Sequence, residues 1–393
     1  MLGGISMTPK RNRKILFLII LSLLAVLGIA GLVYYPLLQQ KWVAPLGPGL
    51  GLPTYTLPSS SITPSQAVSL TSNTQEFTHT ILTTSTFSYS LPTTPAGTPT
   101  PRPFCGGPPL TFILGIGADS GESYNYGLAD VIRVARVDFV TPKVSVLAMP
   151  RDLWVEIPDI EQHYNITHGK LNQAYFYGGP GMGYYDGSGG APGLLARTLD
   201  LNFSLRVEHY GAVNMNTFVK IVDAVGGIDL YLPEDVDGRS EDPMTIDLGF
   251  FPKGQHHFSG EQALRFARVR KKYNDFTRMD HQTMVLCALR SKLKEPSVIV
   301  KIPRIVSAFK DSVQTDLSPE QISQLACLLP KVKRENLLFT SLPDEILNPG
   351  RVYNPRQKDT TFVMEADYDV IRDYVAQFMA GTWPTEPEEP TCP

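Results

Sequence analysis

The first hydrophobic pattern in the chain is an unbroken one. From Ile15 to Gln40 the only ionisable side chains are two tyrosines. The apolar part, Ile15 to Leu38, would span about 36 Å as a helix, enough to cross a hydrocarbon core of about 30 Å. Lys10, Arg11, Arg13 and Lys14 precede it, so the positive-inside rule keeps residues 1–14 in the cytoplasm. A cleaved leader is the rival reading, but the run is long and no clear small-x-small site follows. The expectation is a retained single-pass membrane anchor over 15–38, with the rest of the chain extracellular.

Beyond the anchor the pattern fades. Residues 39–108 are rich in Pro, Ser, Thr and Gly with few charges, a composition that buries too little apolar surface to offset its ordering entropy. A disordered extracellular linker is expected there.

From residue 109 short periodic segments take over. "LTFILGIG" (110–117) is a continuous apolar run ending in glycine, as for a strand buried on both faces. "DVIRVARVDFV" and "VSVLAM" flank the turn "TPK" and predict a β-hairpin. "NQAYFYGG" and "APGLLARTLDL" predict helices, "RVEHYGAVNM" a strand, "NTFVKIVDAVGG" an amphipathic helix ended by glycines, and "IDLYLP" another strand. Gly260–Phe266 predicts a short helix. Asp275 is placed to N-cap a long one, on which Met279, Leu286, Leu289 and Leu293 repeat with a period near 3.5. The fold class expected is α/β: one domain over 109–383 with a mixed central sheet and helices on both faces, then a loose tail over 384–393.

Composition adds little to this. A formal net charge of −3 over 393 residues gives no reason to expect a nucleic-acid partner. Four cysteines suit an oxidising compartment and allow three pairings; Cys287 with Cys327, both in helix-like apolar surroundings, is the preferred pair. None of their spacings reads as a metal site.

Candidate chemistry gathers in three places. In "GEQALRFARVRKKYNDFTRMDHQ" (260–282), Arg268 and Arg270 share a face if their segment is extended, and Arg278 and Gln282 share a face of the long helix. Converging guanidinium groups beside a helix start would suit a diphosphate, since each offers planar bidentate donors; structural salt bridges to Asp275, Asp280 and Glu261 are the plainer alternative. Asp119 follows the first strand and Asp130 begins the next, so a loop could bring both carboxylates onto one Mg²⁺; turn formation is the default for such loop acids. Arg151, in "AMPRDLWVEIP", ends a strand, and pairing with Asp152 or Glu156 is its bland role.

Together "LGIGADS", "ADVIRVARVD", "VSVLAMPRDLWVEIP", "KLNQAYFYGGP", "FVKIVDAVGGIDL", "FPKGQHHFSGEQALRFARVR" and "DFTRMDHQ" resemble, in order and spacing, the LytR–CpsA–Psr (LCP) family. The resemblance is close over 110–295 and extends plausibly to 380. It implies an α-β-α layered extracellular domain and a phosphotransferase that moves a glycopolymer from an undecaprenyl-diphosphate carrier to a peptidoglycan hydroxyl, forming a phosphodiester. It further implies that Asp119 and Asp130 hold Mg²⁺, and that Arg151, Arg268, Arg270, Arg278 and Gln282 grip the diphosphate. Asp275 matches the acid of the "DFxR" motif, and Lys170 and Asn172 match "KxN". Gly121, Leu128 and His281 stand where many members carry arginine. A diphosphate hydrolase and a non-catalytic wall-binding or regulatory module are the alternatives to a transferase.

Overall fold

The computed structural model describes residues 45–52, 102–240, 242, 244–269, 275–299, 305, 312–354, 358–385 and 392. The expected anchor and most of the expected linker lie outside them. Among the described residues no helix is long and apolar enough to cross a membrane.

Strands β1 (Leu110–Ala118), β2 (Ala129–Asp138) and β3 (Lys143–Ala148) form an antiparallel meander. A short ladder follows, β4 (Trp154–Glu156) with β5 (His168–Lys170), then helices α1 (Leu171–Gly178) and α2 (Gly190–Phe203). Next come β6 (His209–Asn214), α3 (Met215–Val225), β7 (Ile228–Leu232), β8 (Gly254–Phe258), α4 (Gly260–Arg268) and α5 (Asp275–Leu293). The chain continues through β9 (Val313–Thr315), α6 (Pro319–Leu328), β10 (Leu337–Ser341), the hairpin β11 (Leu347–Asn354) and β12 (Asp359–Ala366), and α7 (Tyr368–Ala380). The central sheet runs β9-β6-β1-β2-β3-β10, with β1 parallel to β6 and β3 parallel to β10. This is the mixed sheet that the pattern predicts.

One face of that sheet is conventional core. Phe112, Leu114, Ile116, Ile132, Val134 and Leu147 pack on α1, α2 and α7 around Tyr175, Leu195, Phe203 and Phe378, all with 3% exposure or less. The opposite face was expected to be equally buried at β1, and it is not. There Ile113, Gly115 and Gly117 alternate with the core residues and line a cavity instead. Gly211 of β6 pairs with Gly115, and a Cβ added to it would meet nothing within 4 Å. Small residues on this face leave unfilled the space between the sheet and α5. A second core, built by α3, α4, β7 and β8 around Phe251, Phe258 and Phe266, supports α5 from the side.

Three further expectations change. Cys287 pairs with Cys392 and Cys105 with Cys327, not Cys287 with Cys327. Local apolar context cannot report which cysteines approach within the 5–6 Å that a bridge requires; only the sheet's closure brings Cys105 beside α6. The tail is tied down at Cys392, which is 3% exposed. Part of the expected linker is also ordered: Leu50 is 3% exposed within the main core, and Gly47 lies so close to the Tyr210 ring that no side chain fits.

Candidate functional site

The cavity between the sheet and α5 measures about 1120 Å³. Asp119, Asp130, Arg151, Lys170, Asn172, Arg268, Arg278 and Gln282 all line it. Arg270 lies outside the described residues. Asp275 is described only by its backbone, as the first residue of α5 and not the residue before it.

Each side chain arrives through local chemistry. Beyond β1 and β2 the loop is closed by the Asp119 amide donating to the Leu128 carbonyl at 2.8 Å, with a register shift at Gly117/Ala118. This sets Asp119 and Asp130 on neighbouring strand ends. Arg268 sits in the last turn of α4, which starts with a full capping box: Ser259 Oγ accepts from the Gln262 amide, and the Gln262 side chain accepts from the Ser259 amide. The helix reaches Arg268, so the extended backbone expected there begins one residue later, at Val269. Arg278, 4% exposed, reaches across from the first turns of α5 to the Asp130 carbonyl at 3.4 Å.

Arg151 is held most firmly. Its Nη1 donates to Asp130 Oδ1 at 2.5 Å, and its Nε lies 3.3 Å from Asp152 Oδ2. Lys170 Nζ bonds the other Asp152 oxygen at 2.9 Å. Asp152 is therefore a hub. Burial pushes its carboxyl upward, but Arg151, Lys170 and Arg278 together hold it below the ordinary carboxylate value. Sequence reasoning treated Asp152 only as a bland partner. Its position next to Arg151 was visible, but its bond to Lys170 depends on the β4–β5 ladder.

Arg133 was missed altogether. It lies mid-strand in β2 among apolar residues, is 5% exposed, and faces into the cavity. Its Nη2 donates to the Met279 carbonyl (2.8 Å) and to Thr283 Oγ1 (3.0 Å), and the guanidinium lies 6.0 Å from the centre of the Phe339 ring. Burial lowers its pKa to about 10, partly offset by Asp280, so it stays cationic. Strand alternation alone could have flagged it, since it shares a face with Val131 and Ala135. Five cations (Arg133, Arg151, Lys170, Arg268, Arg278) thus meet three acids (Asp119, Asp130, Asp152) at this end. The surplus is positive, as an anionic ligand requires.

Past Arg133 the lining turns apolar. Val137, Val144, Val146, Leu337 and Phe339 of the sheet face Val285, Leu286, Leu289 and Leu293 of α5 and Leu325 and Leu328 of α6. Leu286, Leu289 and Leu293 of the repeat read from the sequence line this channel, and Leu286 and Leu289 also pack against the neighbouring cores. The glycine-rich stretch 178–193 does not line it. That stretch packs through a stack of His163 on Tyr184 at 4.4 Å and through backbone contact of Gly178 with Ala191.

His281, where an arginine is usual, is buried beside Phe266 with ring centres 4.6 Å apart. Burial lowers its pKa to about 4, against a hydrogen bond to the Val269 backbone that works the other way. The unfolded chain, with a histidine pKa of about 6.5, binds the proton first. Stability from this residue is therefore complete above pH 6.5 and declines as pH falls towards 4, by about 3 kcal/mol in total. His281→Gln should flatten that part of the acid limb, and urea melts at pH 7, 5.5 and 4.5 would show it. Equal pH slopes in the two proteins would refute the assignment.

The sequence pattern of the LytR_cpsA_psr family matches residues 109–369. The chain belongs to this family. It is 31% identical over 215 residues to the polyisoprenyl-teichoic acid–peptidoglycan teichoic acid transferase TagU of Oceanobacillus iheyensis, covering 54% of this chain and 61% of the relative. It is 29% identical over 232 residues to TagV of Bacillus subtilis, named as the same kind of transferase, covering 58% and 55%. It is also 29% identical over 214 residues to the regulatory protein MsrR of Staphylococcus aureus, covering 54% and 58%. The chain thus spans little more than half the length of these relatives. Among solved structures, the crystal structure of B. subtilis TagV superposes with a TM-score of 0.51 at 23% identity, covering 69% of this chain and 97% of TagV. The gbs0355 protein of Streptococcus agalactiae gives 0.53 at 19%, covering 69% and 88%. These superpositions establish a shared fold.

Proposed function

We propose that this LytR_cpsA_psr member is a membrane-anchored extracellular phosphotransferase that moves a glycopolymer from an undecaprenyl-diphosphate carrier to a peptidoglycan hydroxyl. The observation that carries this reading is one cavity that joins a cationic end at the aspartates to a hydrocarbon-like channel. A prenyl chain needs a long apolar wall, and a diphosphate needs several fixed donors at its head. The names of the TagU and TagV relatives support the polymer and acceptor classes.

In this reading Arg151, Arg268 and Arg278, with Arg270 and Gln282, hold the diphosphate oxygens. Asp152 fixes Arg151 and Lys170, so that the clamp is ordered before substrate arrives. Asn172, 2% exposed, has an Oδ1 with no hydrogen-bond partner among the described residues, an acceptor that suits a substrate hydroxyl. The acceptor hydroxyl gives its proton to a carboxylate of the cavity as its oxygen attacks the sugar-side phosphorus, the bond to the lipid phosphate breaks, and undecaprenyl phosphate leaves. No nucleotide is needed, since the diphosphate is already activated.

Asp119 and Asp130 fit a magnesium ion. They occupy adjacent strand ends on the same cavity, and among the described residues Asp119 has one arginine contact, at 3.7 Å, while Arg151 takes Oδ1 of Asp130. Mg²⁺ asks for only one or two carboxylates, completing its shell with water and phosphate. When bound it would neutralise charge developing on the leaving phosphate.

Purified chain, lipid-linked polymer and peptidoglycan oligosaccharide should give a phosphodiester-linked product in the presence of Mg²⁺, with loss of most turnover after chelation. Free polymer phosphate in place of a linked product would make the protein a hydrolase. Polymer binding without turnover would favour a regulatory role, as the name of the S. aureus relative suggests.

A further inference from the structure

At the end of the cavity remote from the aspartates, a second cationic cluster has no catalytic part in the mechanism above. Arg290 Nη2 and Lys294 Nζ both donate to the Val332 carbonyl, at 3.0 and 3.3 Å. Arg334 adds a third charge from the turn preceding β10. Burial lowers the pKa of Arg290 and of Lys294; the charge of Arg334 acts on the first and that of Arg290 on the second. The neighbouring acids are engaged elsewhere: Asp229 and Glu295 with Lys292, and Glu335 with Lys333. Among the described residues none of the three cations has a carboxylate partner. A helix C-terminus accounts for cations in its own last turn, but not for Arg334 arriving from another segment. Leu293, 38% exposed, stands among them and lines the cavity.

With residues 15–38 read as a membrane anchor, the chain's route brings this domain to a lipid surface. The apolar run ends at Leu38, and Pro45 begins the docked segment whose Leu50 is buried in the core. Seven residues reach at most about 25 Å. A domain seated on residues 45–52 therefore stays within reach of the headgroups, whatever the length of the Pro/Ser/Thr-rich stretch that follows.

We propose that the end of the domain where α5 finishes and β10 begins is a docking face for an anionic bilayer. Arg290, Lys294 and Arg334 meet lipid phosphates there, and Leu293 enters the interface beside the apolar channel. Docking in this orientation lets a prenyl chain pass from bilayer to cavity without crossing water. The inference depends on residues 15–38 holding the chain at a membrane, and not on the transferase chemistry.

The test is amide hydrogen exchange on the full chain reconstituted in nanodiscs, with phosphatidylcholine alone or mixed with phosphatidylglycerol. Exchange over 331–336 should slow in the anionic discs and return to the neutral-disc rate in the Lys294→Gln/Arg334→Gln variant. Each cation near an anionic surface biases docking about fivefold, so losing two should shift the docked ratio about thirtyfold. Arg290 is kept because it braces Val332. Equal exchange in both kinds of disc overturns the proposal, as does failure of the chain to enter discs. Equal protection by soluble poly(glycerol phosphate) over neutral discs also overturns it, by making the cluster a polymer site.

Discussion

Arg268→Ala is expected to slow polymer transfer by about a hundredfold or more, the loss typical of removing one preorganised donor from developing charge. Its melting temperature should hardly move. Arg268 is 35% exposed, at the end of a helix whose capping is elsewhere, and its acid contact is a 3.7 Å approach to Asp119. Exposed pairs of that kind contribute well under about 1 kcal/mol. The guanidinium is thus available to a ligand without being required by the fold. Arg151 would be a poorer probe, because its loss removes a close partner from Asp130 and leaves Asp152 to Lys170, which confuses activity with stability. A single-turnover assay with lipid-linked polymer checks the prediction. Undiminished transfer in the alanine variant removes Arg268 from the clamp.

Cys105→Ser/Cys327→Ser should destabilise the domain by about 2–5 kcal/mol, because the bridge closes a loop of 222 residues and so restricts the unfolded chain strongly. In a domain of this size that lowers the melting temperature by roughly 5–15 °C. The same bridge ties the segment before β1 to α6, which carries Leu325 and Leu328 of the channel wall. Prenyl-diphosphate affinity should fall with it. Calorimetry measures the first effect, and peptide mapping without reduction verifies the pairing of 105 with 327 and of 287 with 392. An unchanged melting temperature would show the bridge to be dispensable.

Much of the fold was legible because its signals are local. The hairpin around 140–143, the short helix from Gly260 and the glycines ending α3 each act within one or two turns of chain. The reading failed where the deciding contact lies far along the sequence. Strand β1 reads as buried on both faces because hydrophobicity does not distinguish a packed wall from a channel wall. Cys287 reads as a partner of Cys327 because both contexts are apolar, whereas Cys392 sits in a polar tail. Arg133 was passed over as one charge in an apolar strand, and its meaning comes from Met279 and Thr283 of α5, about 150 residues away.

The sequence alone thus determined many of the strands and helices between 110 and 293, the apolar run at 15–38 and the types of side chain available for gripping an anion. These depend on periodicity and residue chemistry, which each segment carries by itself. Tertiary structure decided that eight of those side chains share one cavity, that a hydrocarbon-lined channel continues from it, and which cysteines meet. Those outcomes rest on how α5 sits over the small residues of the sheet and on pairings between distant strands, and no single stretch of the chain encodes them.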